Sequence, residues 1–193
     1  MPRGTAEDTR DRILKAADSL FYRRGIIQTS IDEVAERAKV SKKTVYYHYA
    51  TKKALVEAYL AKRDEATLDW LKAKAEAAGP APLQQLTGLF DALAAWSATS
   101  AFNGCPFLRG AVELSGSANK STLSLGARHK QRHLSWMTDL ARRADAHDPD
   151  TLGRQLLLLT DGAIAEALVT GDPAYFAAAR NAAAALLEVH SSP

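Results

Sequence analysis

Residues Thr29 to Leu55 read TSIDEVAERAKVSKKTVYYHYATKKAL, and this stretch decides the fold. Ser30 followed three residues on by Glu33 is a capping box, in which the hydroxyl accepts from the Glu33 amide and the carboxylate reaches back to the Ser30 amide. The helix that opens there carries Ile31, Val34, Ala35 and Ala38 on one side and ends near Lys39. Ser41 is then placed to cap a third helix reaching about Tyr47. Two short helices this close together must cross steeply. Val45 and Tyr49, spaced by four, turn inward toward Val34, Leu55 and the first helix. Lys42, Lys43, Thr44, Tyr47 and His48 then face outward. The pattern is a helix-turn-helix surface. Such a helix fits the major groove of duplex DNA, where hydroxyls, lysines and aromatics near its N-terminus reach base edges and its amides favour phosphate.

Working outward, Thr9 to Arg24 places Ile13, Leu14, Ala17, Leu20 and Phe21 on one stripe of an amphipathic helix that Gly25 stops. Thr51 can cap a fourth helix, unbroken from Lys52 to about Ala77, with Leu55, Tyr59, Leu60, Leu68 and Leu71 on its inner face. At 1.5 Å per residue it would be about 40 Å long, enough to join two bodies. Gly79-Pro80-Ala81-Pro82 ends it. Further helices are expected over Leu83–Ser100, Phe107–Leu114, Thr122–Asp145, Asp150–Thr170 and Ala174–Val189, with breaks at residues 101–106, at Ser115-Gly116-Ser117 and at Gly171-Asp172-Pro173. No segment longer than four or five residues alternates as a half-buried strand does. The expected fold is all-α: an N-terminal three-helix domain with the helix-turn-helix (residues 1–50, with the start of the connecting helix to about 65), and a larger C-terminal helical bundle for ligand binding and dimerisation (51–193).

Composition agrees. The chain has 193 residues, 47% of them hydrophobic and 24% charged, with seven prolines and eleven glycines, so it can bury a core and is neither collagen-like nor disordered. Its single cysteine, Cys105, cannot form an internal disulfide. The first twelve residues lack the apolar stretch of a secretion signal, and the apolar run 156–169 holds Asp161 and Glu166, too short and too charged to cross a bilayer. The expected location is the cytoplasm, with no membrane partner. The net charge is only +3, but the first 63 residues carry 14 Lys/Arg against 8 Asp/Glu, and the rest 11 against 14. A basic front on a mildly acidic rear suits a polyanion, though a solvated basic surface would look the same by charge alone.

The stretch resembles the TetR family of bacterial transcriptional regulators. The resemblance rests on the cap Thr29-Ser30, the pair Val34-Ala35, then Val40-Ser41, Thr44-Val45-Tyr46-Tyr47-His48-Tyr49 and Lys52, all in register, and it covers about the first 65 residues. It implies that Lys42, Lys43 and Thr44 read base edges next to the Ser41 cap, with Tyr47 touching a thymine methyl or a phosphate. Thr29, Tyr46, His48 and Lys52 would hold backbone phosphates. Lys43 stands where the family more often has Gly, Pro or Ala, so the operator cannot be borrowed from a relative.

A symmetric operator needs two copies of the reading helix, so a homodimer is expected. The last two helices are apolar beyond the needs of a monomer, at Leu156–Leu159, Ile164, Ala167, Leu168, Tyr175, Phe176 and 177–187, and the family resemblance also implies pairing there. It further implies a small-molecule pocket in the middle bundle, for which Trp70, Phe90, Trp96, Phe102, Cys105, Phe107, His133 and Trp136 are the candidates, suited to a small apolar or aromatic ligand. His129 and His133 share one helical face, but Lys130, Gln131 and Arg132 between them would repel a cation, so no metal is expected. Cys105 could sense redox state or electrophiles, but it reads better as a small buried hydrophobe. No nucleophile stands beside a base and no glycine-rich phosphate loop occurs, so neither an enzyme nor a cofactor is expected. The expected function is a repressor released from a palindromic double-stranded DNA operator by a small molecule. The alternative is an architectural, nucleoid-associated DNA-binding protein without an effector.

Overall fold

The computed structural model describes residues 5–115 and 120–191. Among these, nine helices and no strand occur: α1 (Ala6–Arg24), α2 (Ile31–Ala38), α3 (Lys42–His48), α4 (Lys52–Ala77), α5 (Pro82–Ser97), α6 (Pro106–Leu114), α7 (Lys120–Arg143), α8 (Pro149–Thr170) and α9 (Ala174–Ser191). Helix ends lie close to those the sequence predicts, with α1 starting three residues early. There Thr5 and Asp8 form a second capping box, which the periodicity of the apolar residues does not reveal. Of the expected break at Ser115-Gly116-Ser117, Ser115 forms a turn after α6, and Gly116 and Ser117 lie outside the described residues.

The chain divides into two compact units, residues 1–64 with 106–127, and residues 65–105 with 128–193. In the first unit, the inward stripe of α1 (Ile13, Ala17, Leu20, Phe21) is buried, as are Val34 of α2, Val45 of α3 and Leu55, Tyr59 and Leu60 of α4. The Phe21 and Tyr59 rings meet edge to face at 5.5 Å. Arg63 anchors α4 on α1 with a two-pronged bond to Asp18 (2.6 and 3.0 Å) and a guanidinium 3.8 Å from the Tyr22 ring centroid. Burial drives the Tyr59 hydroxyl well above the usual phenol range, so it stays protonated.

α6 belongs to this first unit although some sixty residues separate it from α3. It docks on the end of α1 through backbone groups: Arg109 Nη1 donates to the Tyr22 carbonyl (2.7 Å), and the Ile27 amide donates to the Glu113 carboxylate (2.9 Å). Gly25, between them, has φ +97°, a conformation that favours glycine, and a Cβ there would lie 2.8 Å from Glu113 Oε1 and displace that carboxylate.

In the second unit α8 and α9 pack along each other and α5 packs on α9. Its core is built from Leu86, Leu89, Phe90 and Leu93 of α5, Met137, Leu140 and Ala141 of α7, Leu152 and Leu156 of α8, and Phe176 and Ala183 of α9. Gly153 lets α8 approach α7 closely, since a Cβ there would meet the Thr138 hydroxyl at 2.4 Å and the Thr138 backbone nitrogen at 2.9 Å. Among the described residues no helix is long and apolar enough to cross a membrane, and no group of three or more His, Cys, Asp or Glu side chains could hold a metal ion.

Candidate nucleic-acid interface

The candidate surface begins with the turn between α2 and α3. The Val40 amide donates to the Ala35 carbonyl and the Lys39 amide to that of Glu36, each at 3.0 Å, which closes α2 with Lys39 in the left-handed conformation (φ 54°). The next carbonyls, of Ala38 and Lys39, have run out of helix. Arg12 of α1 takes both, its Nη2 donating at 2.6 and 3.0 Å. A guanidinium is well suited there, because it offers several donors and its charge complements the C-terminal end of a helix dipole.

Ser41 then starts α3 as expected. Its hydroxyl accepts from the Thr44 amide (3.1 Å) and lies 2.8 Å from the Thr44 hydroxyl. Val45 and Tyr49 are buried, which rolls the other face outward. Lys42 and Lys43 are exposed and Thr44 and His48 half-buried, while Tyr46 is 42% and Tyr47 83% exposed. The Tyr47 and His48 rings meet edge to face at 5.2 Å. Apart from that ring contact, Tyr47 is left for a partner to cover.

Three expected residues are placed in ways the sequence does not show. Thr29 is fully buried and its hydroxyl donates to the Gly25 carbonyl (2.8 Å), which braces the loop before α2. Lys42 reaches back to α2, its Nζ 2.9 Å from Asp32 Oδ2, and this bond raises the lysine pKa. Lys52 is half-buried, with Nζ donating to the Ile27 carbonyl (3.3 Å), and desolvation lowers its pKa although Glu113 and Glu33 pull the other way. Thr51 caps α4, accepting from the Ala54 amide at 3.0 Å. The Ser30–Glu33 box is complete, and the Ser30 amide and hydroxyl, in that order, hold the Glu33 carboxyl below its ordinary range.

The candidate ligand residues are partly gathered. In the second unit Trp96 lies 6.4 Å from Trp70 and 4.7 Å, edge to face, from Phe102. Phe90, Cys105 and Trp136 are buried in the same unit, as is His133, whose ring lies 4.1 Å from that of His129. Phe107, by contrast, belongs to the first unit. A pocket of about 220 Å³ also occurs in the first unit, lined by Ile26, Ile27, Lys52, Lys53, Val56, Leu114 and Thr122, none of them a sequence candidate for ligand binding. Sequence reading missed Arg12, Asp32 and Glu113, whose roles depend on partners ten to eighty-six residues away. Only for Asp32 does a signal exist, an acid in the first turn of α2 with a lysine in the first turn of α3.

A short capped helix, a tight turn and a second helix rolled to expose lysines, a hydroxyl and tyrosines define the class: a helix-turn-helix DNA-binding domain on an all-helical chain. Residues 13–59 match the family model of the bacterial regulatory proteins, tetR family. The regulator TtgR of Pseudomonas putida is 40% identical over 55 residues, 28% of this chain and 26% of TtgR. The transcriptional repressor KstR2 of Mycolicibacterium smegmatis is 35% identical over 86 residues, 43% of this chain and 40% of KstR2. These matches therefore span well under half the length of the curated relatives. Over the whole chain the structure resembles SCO4454, a TetR-family transcriptional regulator from Streptomyces coelicolor, with a TM-score of 0.82 and 27% identity covering 96% of this chain and 97% of that one. The fold is shared with a TetR-family regulator from Cytophaga hutchinsonii at a TM-score of 0.86, 17% identity and full coverage of both chains. The N-terminal segment is thus similar to the TetR family of bacterial regulatory proteins, and the chain shares its fold with solved TetR-family transcriptional regulators.

Proposed function

We propose that this chain is a transcriptional repressor that binds a palindromic DNA operator as a homodimer and is released by a small apolar or aromatic molecule. The observation that carries the reading is α3: Val45 and Tyr49 are buried while Lys42, Lys43 and Tyr47 are exposed, in register with the family's motif. Residues 1–50 form the reading head, and residues 51–193 serve regulation and pairing. Repression draws support from KstR2, which is named a repressor. Pairing through α8 and α9 draws support from apolar side chains left in water there, Leu158 at 71% and Val169 at 82% exposure, with exposed Val189 in helical register with exposed Ala178, Ala182 and Ala185 of α9. Trp70, Trp96 and Phe102 supply the aromatic cluster of the second unit that suits such a ligand. Ligand must bind the free and DNA-bound conformations with different affinity for release to follow. The protein acts on cytoplasmic DNA.

Selection of bound fragments from random and source-genome DNA, with and without a small-molecule extract, tests the reading. Enrichment of an inverted repeat that is lost on adding extract is the expected result. Broad, salt-sensitive binding without a repeat points instead to an architectural protein, and absence of binding overturns the reading.

A further inference from the structure

The two lysines that open α3 are adjacent in sequence but differ in what surrounds them. Lys43 projects into solvent, whereas the Lys42 ammonium is held 2.9 Å from the carboxylate of Asp32 in the first turn of α2. Capping does not account for Asp32, since Ser30 and Glu33 complete the box at that end between themselves. As an acid in the first turn of α2, Asp32 complements the helix dipole, but that role does not need Lys42, and an ion pair whose side chains are 53% and 67% exposed adds little to it. What the pair does is electrostatic. It neutralises one cation on the surface that would meet DNA, and it draws that cation toward α2.

We infer that Asp32 is a specificity-determining residue, whose carboxylate withholds Lys42 from the phosphate backbone and leaves Lys43 as the lysine of α3 that reads base edges. The inference rests on the DNA-binding reading above. Attraction to phosphate is common to every sequence, so each free cation strengthens binding to all DNA alike. Preference for an operator is a difference between two affinities, and it grows when the common part is reduced while the base contacts are kept. Asp32 reduces the common part without touching Lys43, Thr44 or Tyr47.

The test compares Asp32→Asn with the wild type on two duplexes, one carrying the best-enriched repeat and one of scrambled sequence, over a range of salt. Asp32→Asn is expected to bind scrambled duplex about 3- to 10-fold tighter at low salt, with the salt slope steeper by up to about one unit. Binding to the repeat should gain less, so the ratio between the two falls. The same substitution in a Lys42→Met background should have a much smaller effect. An unchanged ratio, or an equal gain in both backgrounds, overturns the inference alone, the latter because Asp32 would then act only as a repelling charge. A wild type that prefers no sequence overturns the regulator reading and this inference with it.

Discussion

The guanidinium of Arg12, in the middle of α1, donates to the carbonyl of Ala38 at the end of α2, 2.6 Å away. With its second bond to Lys39 it fastens the turn that sets the direction of α3. Arg12→Ala is expected to cost about 1–2 kcal/mol of stability, since two carbonyls lose a charged donor, and to weaken repeat binding more than scrambled binding. Arg12→Lys should recover part of both. Thermal unfolding and binding to the two duplexes check this, and an Arg12→Ala protein with unchanged preference would remove Arg12 from the positioning of α3.

Gly25 and Glu113 form a second relationship of the same kind. Gly25→Ala forces a side chain into a left-handed position and against the Glu113 carboxylate, at an expected cost of about 1–3 kcal/mol. Adding Glu113→Ala should relieve the clash and leave the backbone strain together with the lost Ile27 bond, which the Glu113→Ala single variant reports by itself. Urea midpoints of the single and double variants separate the two contributions.

Lys43 and Lys52 should fail in different ways. Lys43→Ala is expected to relax preference at one base pair by about 1–2 kcal/mol. Lys52→Met is expected to weaken all sequences alike and lower the salt slope by about one unit. Equal losses on repeat and scrambled duplex for both variants would remove Lys43 from base reading.

Leu158→Glu and Val169→Glu place a charge where apolar side chains of α8 stand in water. Sedimentation equilibrium should show the dimer weakened towards monomer, with repeat binding falling alongside it, because one reading helix grips only half a palindrome. A variant that remains dimeric would move the interface elsewhere.

Glu33 links stability to acid. Its folded-state pKa lies below the ordinary 4.5, chiefly through the Ser30 amide. A carboxylate shifted downward contributes stability that is present above its unfolded value and is lost as pH falls through the folded one. Wild type and Glu33→Gln should therefore differ in stability above about pH 4.5 and converge below it. Denaturant unfolding across that range checks the sign.

Most of the first unit was legible because its determinants are local. Ser30 with Glu33, Ser41 before Thr44, Thr51 before Ala54, and the four-residue spacing of Val45 and Tyr49 each need only a few neighbouring residues to be read. What was not legible depends on distant partners. That Thr29 is a buried brace follows from the loop back to Gly25, and that Lys42 is held follows from how α2 and α3 cross. The docking of α6 depends on Arg109 and Glu113 finding backbone groups some 87 residues earlier, and the sequence carries no periodic trace of that. The aromatics of the second unit could be listed beforehand, but helical periodicity alone could not separate Phe107 from Trp70, Trp96 and Phe102.

The side chains of α3 and its C-cap Tyr49 divide by face, with Thr44 and His48 between. Val45 is wholly buried and Tyr49 nearly so, while Lys42, Lys43 and Tyr47 touch little of the protein's interior. Changes on the outer face therefore leave the core almost undisturbed, whereas changes on the inner face are felt at once in folding. On the proposed reading, a lineage can thus acquire a new DNA preference by single steps at positions 43 and 47 without passing through an unfolded ancestor. That makes the seven-residue α3 an evolvable part of the chain, with its inner face as the constraint that keeps it in place.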